Sequence, residues 1–220
     1  MTRNGRDSDR RASLDASLGG YWDDLAALAR ALDPVRLRAA AELLLETQAR
    51  GRVVFMVGNG GSAATASHFA CDLAKGTRGD GAPTFRVMAL TDNAPLLTAW
   101  ANDAGYERVF AEQLRSLARP GDLLVAISAS GSSPNIVAAV EAARSLRTRT
   151  LALTGRDGGA IGPLADLVVR VPSDRIEIVE DAHMAIAHSL CVAARAWLAS
   201  PQDGVVHTVS MIADSVDLSA

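Results

Sequence analysis

Three of the four histidines in the chain lie beside carboxylates, in two apolar segments that are far apart in the sequence. His68 and Asp72 are four residues apart, a spacing that puts both side chains on one face of a helix. In the second segment, Glu180 precedes His183 and His188. Imidazole and carboxylate groups bind transition metals and also act as general acids and bases. A surface ion pair or a hydrogen-bonded core histidine is the alternative interpretation of each group.

The distance between Glu180 and His188 restricts any shared metal site. Eight residues separate them, which corresponds to about 12 Å along an ideal helix. Both can therefore bind one ion only if Glu180 lies at a bent or non-helical start of its helix, or if a neighbouring subunit contributes one of them.

A glycine-rich loop, Gly58-Asn59-Gly60-Gly61-Ser62, lies between an apolar run and a helical segment. Glycines let backbone N–H groups approach an anion, and a helix N-terminus adds partial positive charge. The loop lacks both the lysine of a Walker motif and the spacing of GxGxxG, so it does not indicate either class of nucleotide site. A tight turn that requires glycine is the alternative interpretation.

A serine-rich loop, Ser128-Ala129-Ser130-Gly131-Ser132-Ser133, occupies the same kind of position, before a helical segment that starts at Pro134. Hydroxyl and amide donors can bind several phosphate oxygens without Lys or Arg, and the helix dipole adds to the attraction. Helix capping alone would use only one of these serines. The loop therefore indicates a phosphate site.

The composition excludes some classes of function. The 220 residues include 22 Lys and Arg against 25 Asp and Glu, a net charge of -3, which argues against a protein that binds nucleic acid through positive charge. No apolar run reaches the roughly 18 residues of a membrane span, and no apolar segment follows the N-terminal charges. We therefore expect a cytoplasmic protein without a membrane partner. Cys71 and Cys191 lie in apolar helical patterns without a CxxC, which predicts buried, unpaired thiols.

Five short aliphatic runs alternate with helical segments, a pattern typical of an α/β fold with a doubly wound, five-stranded parallel sheet. The runs begin at Arg52, Phe85, Asp122, Arg149 and Asp166. Helices are predicted over Ser62–Lys75, Tyr106–Leu117, Pro134–Leu146 and from about Glu180 to Leu198. Ligands of such sheets bind at the carboxyl ends of the strands, which is where the glycine-rich and serine-rich loops fall.

An N-terminal helical hairpin precedes the sheet. Apolar residues recur at helical spacing from about residue 16 to residue 50, and Asp33-Pro34 supplies an N-cap and a first turn between the two helices. Residues 1–14 are polar and without period, which predicts a disordered arm. We expect one domain over 15–200 and assign no role to the tail, 201–220.

Five motifs, in this order, resemble those of the sugar isomerase (SIS) domain family: Gly58–Ser62, His68–Asp72, Thr98–Asp103, Ile127–Asn135, and Glu180–His183 with His188. The resemblance covers about residues 16–200 and is greatest to the phosphoheptose isomerases. It implies a flavodoxin-like SIS fold and a homotetramer with active sites at subunit contacts. It also implies conversion of D-sedoheptulose 7-phosphate to D-glycero-D-manno-heptose 7-phosphate through an enediol, in the biosynthesis of nucleotide-activated heptose.

The resemblance also implies roles for individual positions. The substrate-binding positions are Asn59, Gly60, Gly61, Ser62, Asp72, Asn102, Asp103, Ser128, Ala129, Ser130, Ser133 and Glu180. The metal-binding and catalytic His, Glu, Gln and His of the family fall on His68, Asp72, Glu180 and His188, so two of the four are substituted. Two histidines and two carboxylates are a plausible set for Zn²⁺, and one ion per subunit is predicted. Asp72 and His188 are the predicted acid and base.

Two alternatives remain open. A non-catalytic SIS tetramer that binds a protein partner, resembling a regulator of replication initiation, would not need the clustered histidines and carboxylates. An isomerase of another sugar phosphate, such as a shorter ketose phosphate or an amino-sugar phosphate, would use the same loops, because the loops alone do not select the sugar.

Overall fold

The structure, a computed structural model, describes residues 3–78 and 84–200, with residues 3–8 described by their backbone alone. The elements in chain order are α1 (Arg3–Ala31), α2 (Pro34–Ala49), β1 (Val53–Val57), α3 (Gly61–Cys71), β2 (Arg86–Ala89), α4 (Ala94–Ala104), α5 (Val109–Leu117), β3 (Leu123–Ser128), α6 (Pro134–Ser145), β4 (Arg149–Gly155), β5 (Leu167–Val171) and α7 (Ile176–Ala199). A π-helical turn, Asp72–Gly76, continues α3, and 3₁₀ turns lie at Tyr106–Arg108 and Gly159–Ile161.

All five predicted strands are present and form one parallel sheet in the order β2-β1-β3-β4-β5. This is the flavodoxin-like order, in which the chain reverses its direction of growth between β1 and β3. The central strand β3 is buried along its whole length, which is why it reads as an unbroken apolar run rather than an alternating one. The predicted fold class is confirmed.

Helices cover both faces of the sheet and enclose two apolar cores. One core lies under α1, α2, α3 and α7, and its large buried side chains include Leu44, Phe69 and Leu73. The other lies under α5 and α6, with Phe110 and Ile136 among its buried residues. The loops that connect strands to helices lie at the carboxyl edge of the sheet, outside both cores.

The N-terminal region differs from the expectation. Helix α1 begins at Arg3, so the segment predicted as a disordered arm is helical where the structure describes it. No proline interrupts it, and Leu14 extends the helical spacing of Leu18 and Trp22 upstream of residue 16. Asp33 caps α2 as predicted, and its Oδ1 accepts from the Val35 N–H at 2.8 Å.

The two N-terminal helices, joined at the Asp33 cap, precede the sheet as predicted. Helix α1 packs on α7. The Tyr21 hydroxyl donates to the Asp181 carboxylate, and Arg175 forms an ion pair with Asp24.

No helix in the described ranges is long and apolar enough to cross a membrane. The predicted tail, 201–220, lies outside the described residues.

Candidate functional site

The glycine-rich loop connects β1 to α3 through a turn that other residues could not make. A Cβ at Gly58 would lie 2.4 Å from the carbonyl oxygen of Ser62, and Gly60 has a φ of +53°. Gly60 is the N-cap of α3 and supplies no side chain there, and the Glu180 carboxylate lies against Gly61 in the first turn. The glycines therefore serve both the tight turn and the close approach of Glu180 to the helix N-terminus.

The serine-rich loop is held partly by its own hydroxyls. The Gly131 N–H donates to Ser128 Oγ at 3.1 Å, and the Ser132 N–H donates to Ser130 Oγ at 3.2 Å. Ser133 is the N-cap of α6, yet its hydroxyl makes no capping hydrogen bond. Pro134 has no N–H and the Ile136 N–H donates to the Ser133 carbonyl, so the Ser133 hydroxyl and the Asn135 N–H are the donors of this turn that an anion can use.

The loop that follows β4 packs against the serine-rich loop and forms backbone hydrogen bonds with it. The Ile161 N–H donates to the Gly131 carbonyl at 2.9 Å, and the Gly155 N–H donates to the Ala129 carbonyl at 3.0 Å. The backbones approach so closely that a Cβ at Gly131 would lie 2.2 Å from the Gly158 carbonyl oxygen. Neighbouring strands thus fix the shape of the candidate phosphate loop.

Asn59 and Asn135 connect the two loops. Their side-chain amides form a reciprocal pair, with an N···O distance of 2.8 Å in each direction. The Tyr106 hydroxyl also donates to Asn59 Oδ1, at 3.0 Å. The sequence analysis assigned Asn59 to the substrate but gave no role to Asn135, the last residue of the serine motif, or to Tyr106, which closely follows the Asn102-Asp103 pair.

His68, Asp72 and His188 come together where α3 packs on α7. The Nε2 atoms of the two histidines are 3.0 Å apart, and Asp72 Oδ2 lies 3.4 Å from the first and 3.6 Å from the second. Half of each histidine side chain is exposed. A π-helical turn begins at Asp72, and such turns are frequent at functional sites.

The three residues of this cluster fit a zinc ion. With zinc–ligand bonds of about 2.0–2.2 Å, neighbouring ligands of a tetrahedral ion are about 3.3–3.6 Å apart, close to the separations of the three donor atoms. Two imidazole nitrogens and one carboxylate oxygen also match the three-ligand sets of catalytic zinc, which keep a fourth position open. The predicted zinc site therefore has a suitable donor set.

Glu180 does not belong to this cluster among the residues that the structure describes. Its carboxylate lies against Gly61, where a Cβ would be 2.5 Å from Glu180 Oε2. Helix α7 begins at Ile176, so Glu180 is inside a regular helix rather than at a bent start. Its role as metal ligand stays a prediction, and within one chain it would require the Glu180 carboxylate to leave its place against Gly61.

Asn102 and Asp103 lie exposed in the last turn of α4. The Asn102 amide donates to Asp103 Oδ1 at 2.8 Å, so the two side chains bind each other rather than either loop. Their predicted contact with the substrate stays a prediction.

Two buried groups on α7 have shifted pKa values. Burial lowers the pKa of His183 to about 4, because the charged ring is poorly solvated there. The Thr154 backbone favours the charged ring and so opposes part of this shift, but neither ring nitrogen makes a hydrogen bond of good geometry. Burial raises the pKa of the Cys191 thiol to about 12. The other cysteine, Cys71, is exposed at the end of α3, so the prediction that it is buried was wrong.

Comparison with known proteins identifies the family. The SIS domain model matches residues 21–155, which include both loops and strands β1 to β4. The chain belongs to the SIS domain family. It is 41% identical over 172 residues to the phosphoheptose isomerase of Akkermansia muciniphila, covering 78% of this SIS domain chain and 89% of that protein.

Solved structures agree with the family and extend to α7. The phosphoheptose isomerase of Neisseria gonorrhoeae is 34% identical with a TM-score of 0.77, over 83% of this chain and 99% of that one. The enzyme of Francisella tularensis is 32% identical with a TM-score of 0.72, over 89% and 100% of the two chains. The SIS fold of these isomerases is therefore the fold of this chain.

Proposed function

We propose that the protein converts D-sedoheptulose 7-phosphate to D-glycero-D-manno-heptose 7-phosphate, for the biosynthesis of nucleotide-activated heptose. The observation that carries the proposal is the cluster of His68, Asp72 and His188, in a chain whose sheet also has two glycine- and serine-rich loops at the carboxyl ends of β1 and β3. Helix α3 begins at the glycine-rich loop and carries His68, and the π-helical turn that continues it begins at Asp72, about 16 Å along the axis from Gly61. Relatives at 41% and 40% identity bear the name phosphoheptose isomerase, which supports the same substrate.

The serine-rich loop is the proposed phosphate site. The Ser133 hydroxyl and the Asn135 N–H donate hydrogen bonds to phosphate oxygens, and the helix dipole favours their negative charge. Binding energy from this group places the distant reacting carbons. A non-phosphorylated sugar should therefore turn over poorly.

Asp72 and His188 are the proposed proton-transfer groups. Isomerisation moves one proton between the first two carbons of the sugar and another between the oxygens on those carbons. Asp72 Oδ2 and His188 Nε2 are 3.6 Å apart, and each group keeps a second atom, Oδ1 or Nδ1, that can exchange a proton when the first atom binds a metal. One group transfers the proton on carbon and the other the proton on oxygen, so the enediol forms and collapses without net gain or loss of protons.

We further infer that His68, Asp72 and His188 hold one Zn²⁺ per subunit. When bound, the ion would polarise the carbonyl and hydroxyl oxygens of the sugar. The family has glutamate where this chain has Asp72 and glutamine where it has Glu180. Glu180 adds a negative charge, which would favour a cation if a second copy of the chain brought it to the cluster.

We also propose a homotetramer. Leu14, Leu18 and Trp22 recur every four residues along α1, and they are 59%, 56% and 65% exposed. Large apolar side chains at this spacing form one stripe on the helix surface, and exposed apolar stripes mark interfaces.

The test is conversion by purified protein, metal-free and loaded with zinc, followed by proton NMR of the aldose formed from sedoheptulose 7-phosphate. We expect conversion by the wild type, dependent on zinc and abolished in His188→Ala. Tight binding of the sugar phosphate without conversion in either metal state would contradict the proposal and favour a binding protein or another sugar.

A further inference from the structure

The side-chain amide of Asn59 is held from two sides. Asn59 Nδ2 donates to Asn135 Oδ1 at 2.8 Å, and Asn135 Nδ2 donates back to Asn59 Oδ1 at the same distance. The Tyr106 hydroxyl donates to Asn59 Oδ1 from a third element, at 3.0 Å. Rotation of the Asn59 amide would break all three bonds.

These bonds leave the Asn59 side chain with one N–H that is free to bind a ligand. An amide oxygen accepts two hydrogen bonds, and both places on Asn59 Oδ1 are filled, by Asn135 and by Tyr106. An amide nitrogen carries two protons, of which Asn135 accepts one. Asn59 can therefore act toward a ligand only as a donor, through one N–H.

The position of the pair is the place where an α/β sheet of this order binds ligands. Asn59 follows β1 and Asn135 lies in the first turn of α6 after β3, and these adjacent strands flank the point where the chain reverses direction. Asn135 is 2% exposed, so water does not compete for its bonds, whereas Tyr106 is 58% exposed. We therefore expect Asn135 to contribute more than Tyr106 to the orientation of Asn59.

We propose that Asn135 and Tyr106 are positioning residues, which hold Asn59 so that its free N–H donates to a carbonyl or hydroxyl oxygen of the sugar phosphate. The inference rests on the proposed function and adds to it the direction of one hydrogen bond: Asn59 donates, so the substrate must have an acceptor oxygen at this point. It also couples the sugar-binding glycine loop to the phosphate-binding serine loop.

The test is a double-mutant cycle on the zinc-loaded protein with sedoheptulose 7-phosphate. Asn135→Asp has the same shape but places a carboxylate oxygen against Asn59 Oδ1, so we expect KM to rise about tenfold with kcat changed less than about threefold. Tyr106→Phe removes one exposed bond, and we expect KM to rise about twofold to threefold. In an Asn59→Ala background, Tyr106→Phe should not raise KM further, and Asn135→Asp should raise it less than in the wild-type background, because only repulsion between the new carboxylate and the phosphate remains.

Asn93→Asp is the matched control. It makes the same chemical change in the loop after β2, where Asn93 Oδ1 accepts from the Leu96 N–H as the N-cap of α4. Aspartate caps a helix as well as asparagine does, so KM should stay within about twofold of the wild type.

Some outcomes would overturn the inference. An unchanged KM in both single variants would do so, and so would an equal rise in KM with and without Asn59. If the wild type binds the sugar phosphate without converting it, the proposed function fails alone, and the Kd from calorimetry replaces KM in the same cycle. If it neither binds nor converts, both fail together.

Discussion

The carboxylate of Asp72 faces two imidazole nitrogens, and it is the only negative group in the cluster that the described residues form. Because Zn²⁺ binding to neutral imidazoles gains from a nearby negative charge, Asp72→Asn should weaken zinc binding by about tenfold or more. Competition with a chromophoric chelator measures the change. Glu177→Gln, which removes an exposed carboxylate from the first turn of α7, is the control and should leave zinc affinity unaltered. Equal affinities of Asp72→Asn and wild type would exclude Asp72 as a ligand.

His183 predicts a pH dependence of stability. Its pKa is about 4 in the folded protein against 6.5 for an unperturbed histidine, because burial penalises the charged ring. Between these values the unfolded chain binds a proton that the folded chain does not. The free energy of unfolding therefore falls as pH drops from about 6.5 to about 4, by about 3 kcal/mol in total from this residue.

Urea unfolding of wild type and His183→Leu across that pH range tests this contribution. Leucine has no proton to bind, so the variant should lose about 3 kcal/mol less than wild type between the two ends of the range. Parallel curves for the two proteins would show that His183 does not account for the acid lability.

Residues that act through local spacing could be predicted from the sequence. His68 and Asp72 are four residues apart on one helix, and the structure does bring them together with His188. The contacts of Glu180 with Gly61 and of Asn59 with Asn135 join residues more than 70 positions apart, and no local pattern encodes them.

At the scale of elements, close packing between two loops depends on glycine. Gly131 and Gly51 have nearly the same φ, +61° and +63°, but only Gly131 has backbone against it, since nothing lies within 4 Å of a Cβ at Gly51. Gly51→Ala should cost about 1 kcal/mol of stability from backbone strain alone. Gly131→Ala should cost about 1–3 kcal/mol more, because the Gly158 backbone must move.

Phosphate binding separates the two glycine variants further. Displacement of the serine-rich loop in Gly131→Ala should weaken binding of inorganic phosphate, whereas Gly51→Ala should bind it normally, as measured by calorimetry. Loss of phosphate binding in both variants would mean that general destabilisation, not the shape of the loop, is responsible.

The strands were easier to predict than some of the helices. The strands β1, β3 and β4 are aliphatic runs buried by helices on both sides of the sheet, and this pattern is visible without any knowledge of their neighbours. Helix α4 was not predicted as a helix, although Asn93 and Pro95 supply its cap and first turn. Helix α1 was predicted too short because residues 1–14 were judged by their polar composition alone. In the structure, residues 3–14 continue a helix that is already formed downstream, and composition carries no information about that.

For the whole molecule, the apolar stripe on α1 predicts the oligomeric state. Leu18→Glu places a charge in the middle of the stripe, so the proposed tetramer should dissociate into smaller species in sedimentation velocity experiments. Val35→Glu, at a residue 71% exposed at the start of α2, is the control and should keep the wild-type mass. A wild-type mass for Leu18→Glu would place the interface elsewhere.

The bonds on the Asn59 amide also bear on how the protein ages. Asn59 is followed by Gly60, and asparagine before glycine loses its amide spontaneously when the glycine nitrogen attacks the side-chain carbonyl carbon. That attack requires the side chain to rotate, and Asn135 and Tyr106 restrain the rotation. During storage, the peptide that contains Asn59 should therefore gain the mass of deamidation faster in Asn135→Ala than in wild type. The contact that orients the residue is thus also its protection against chemical decay.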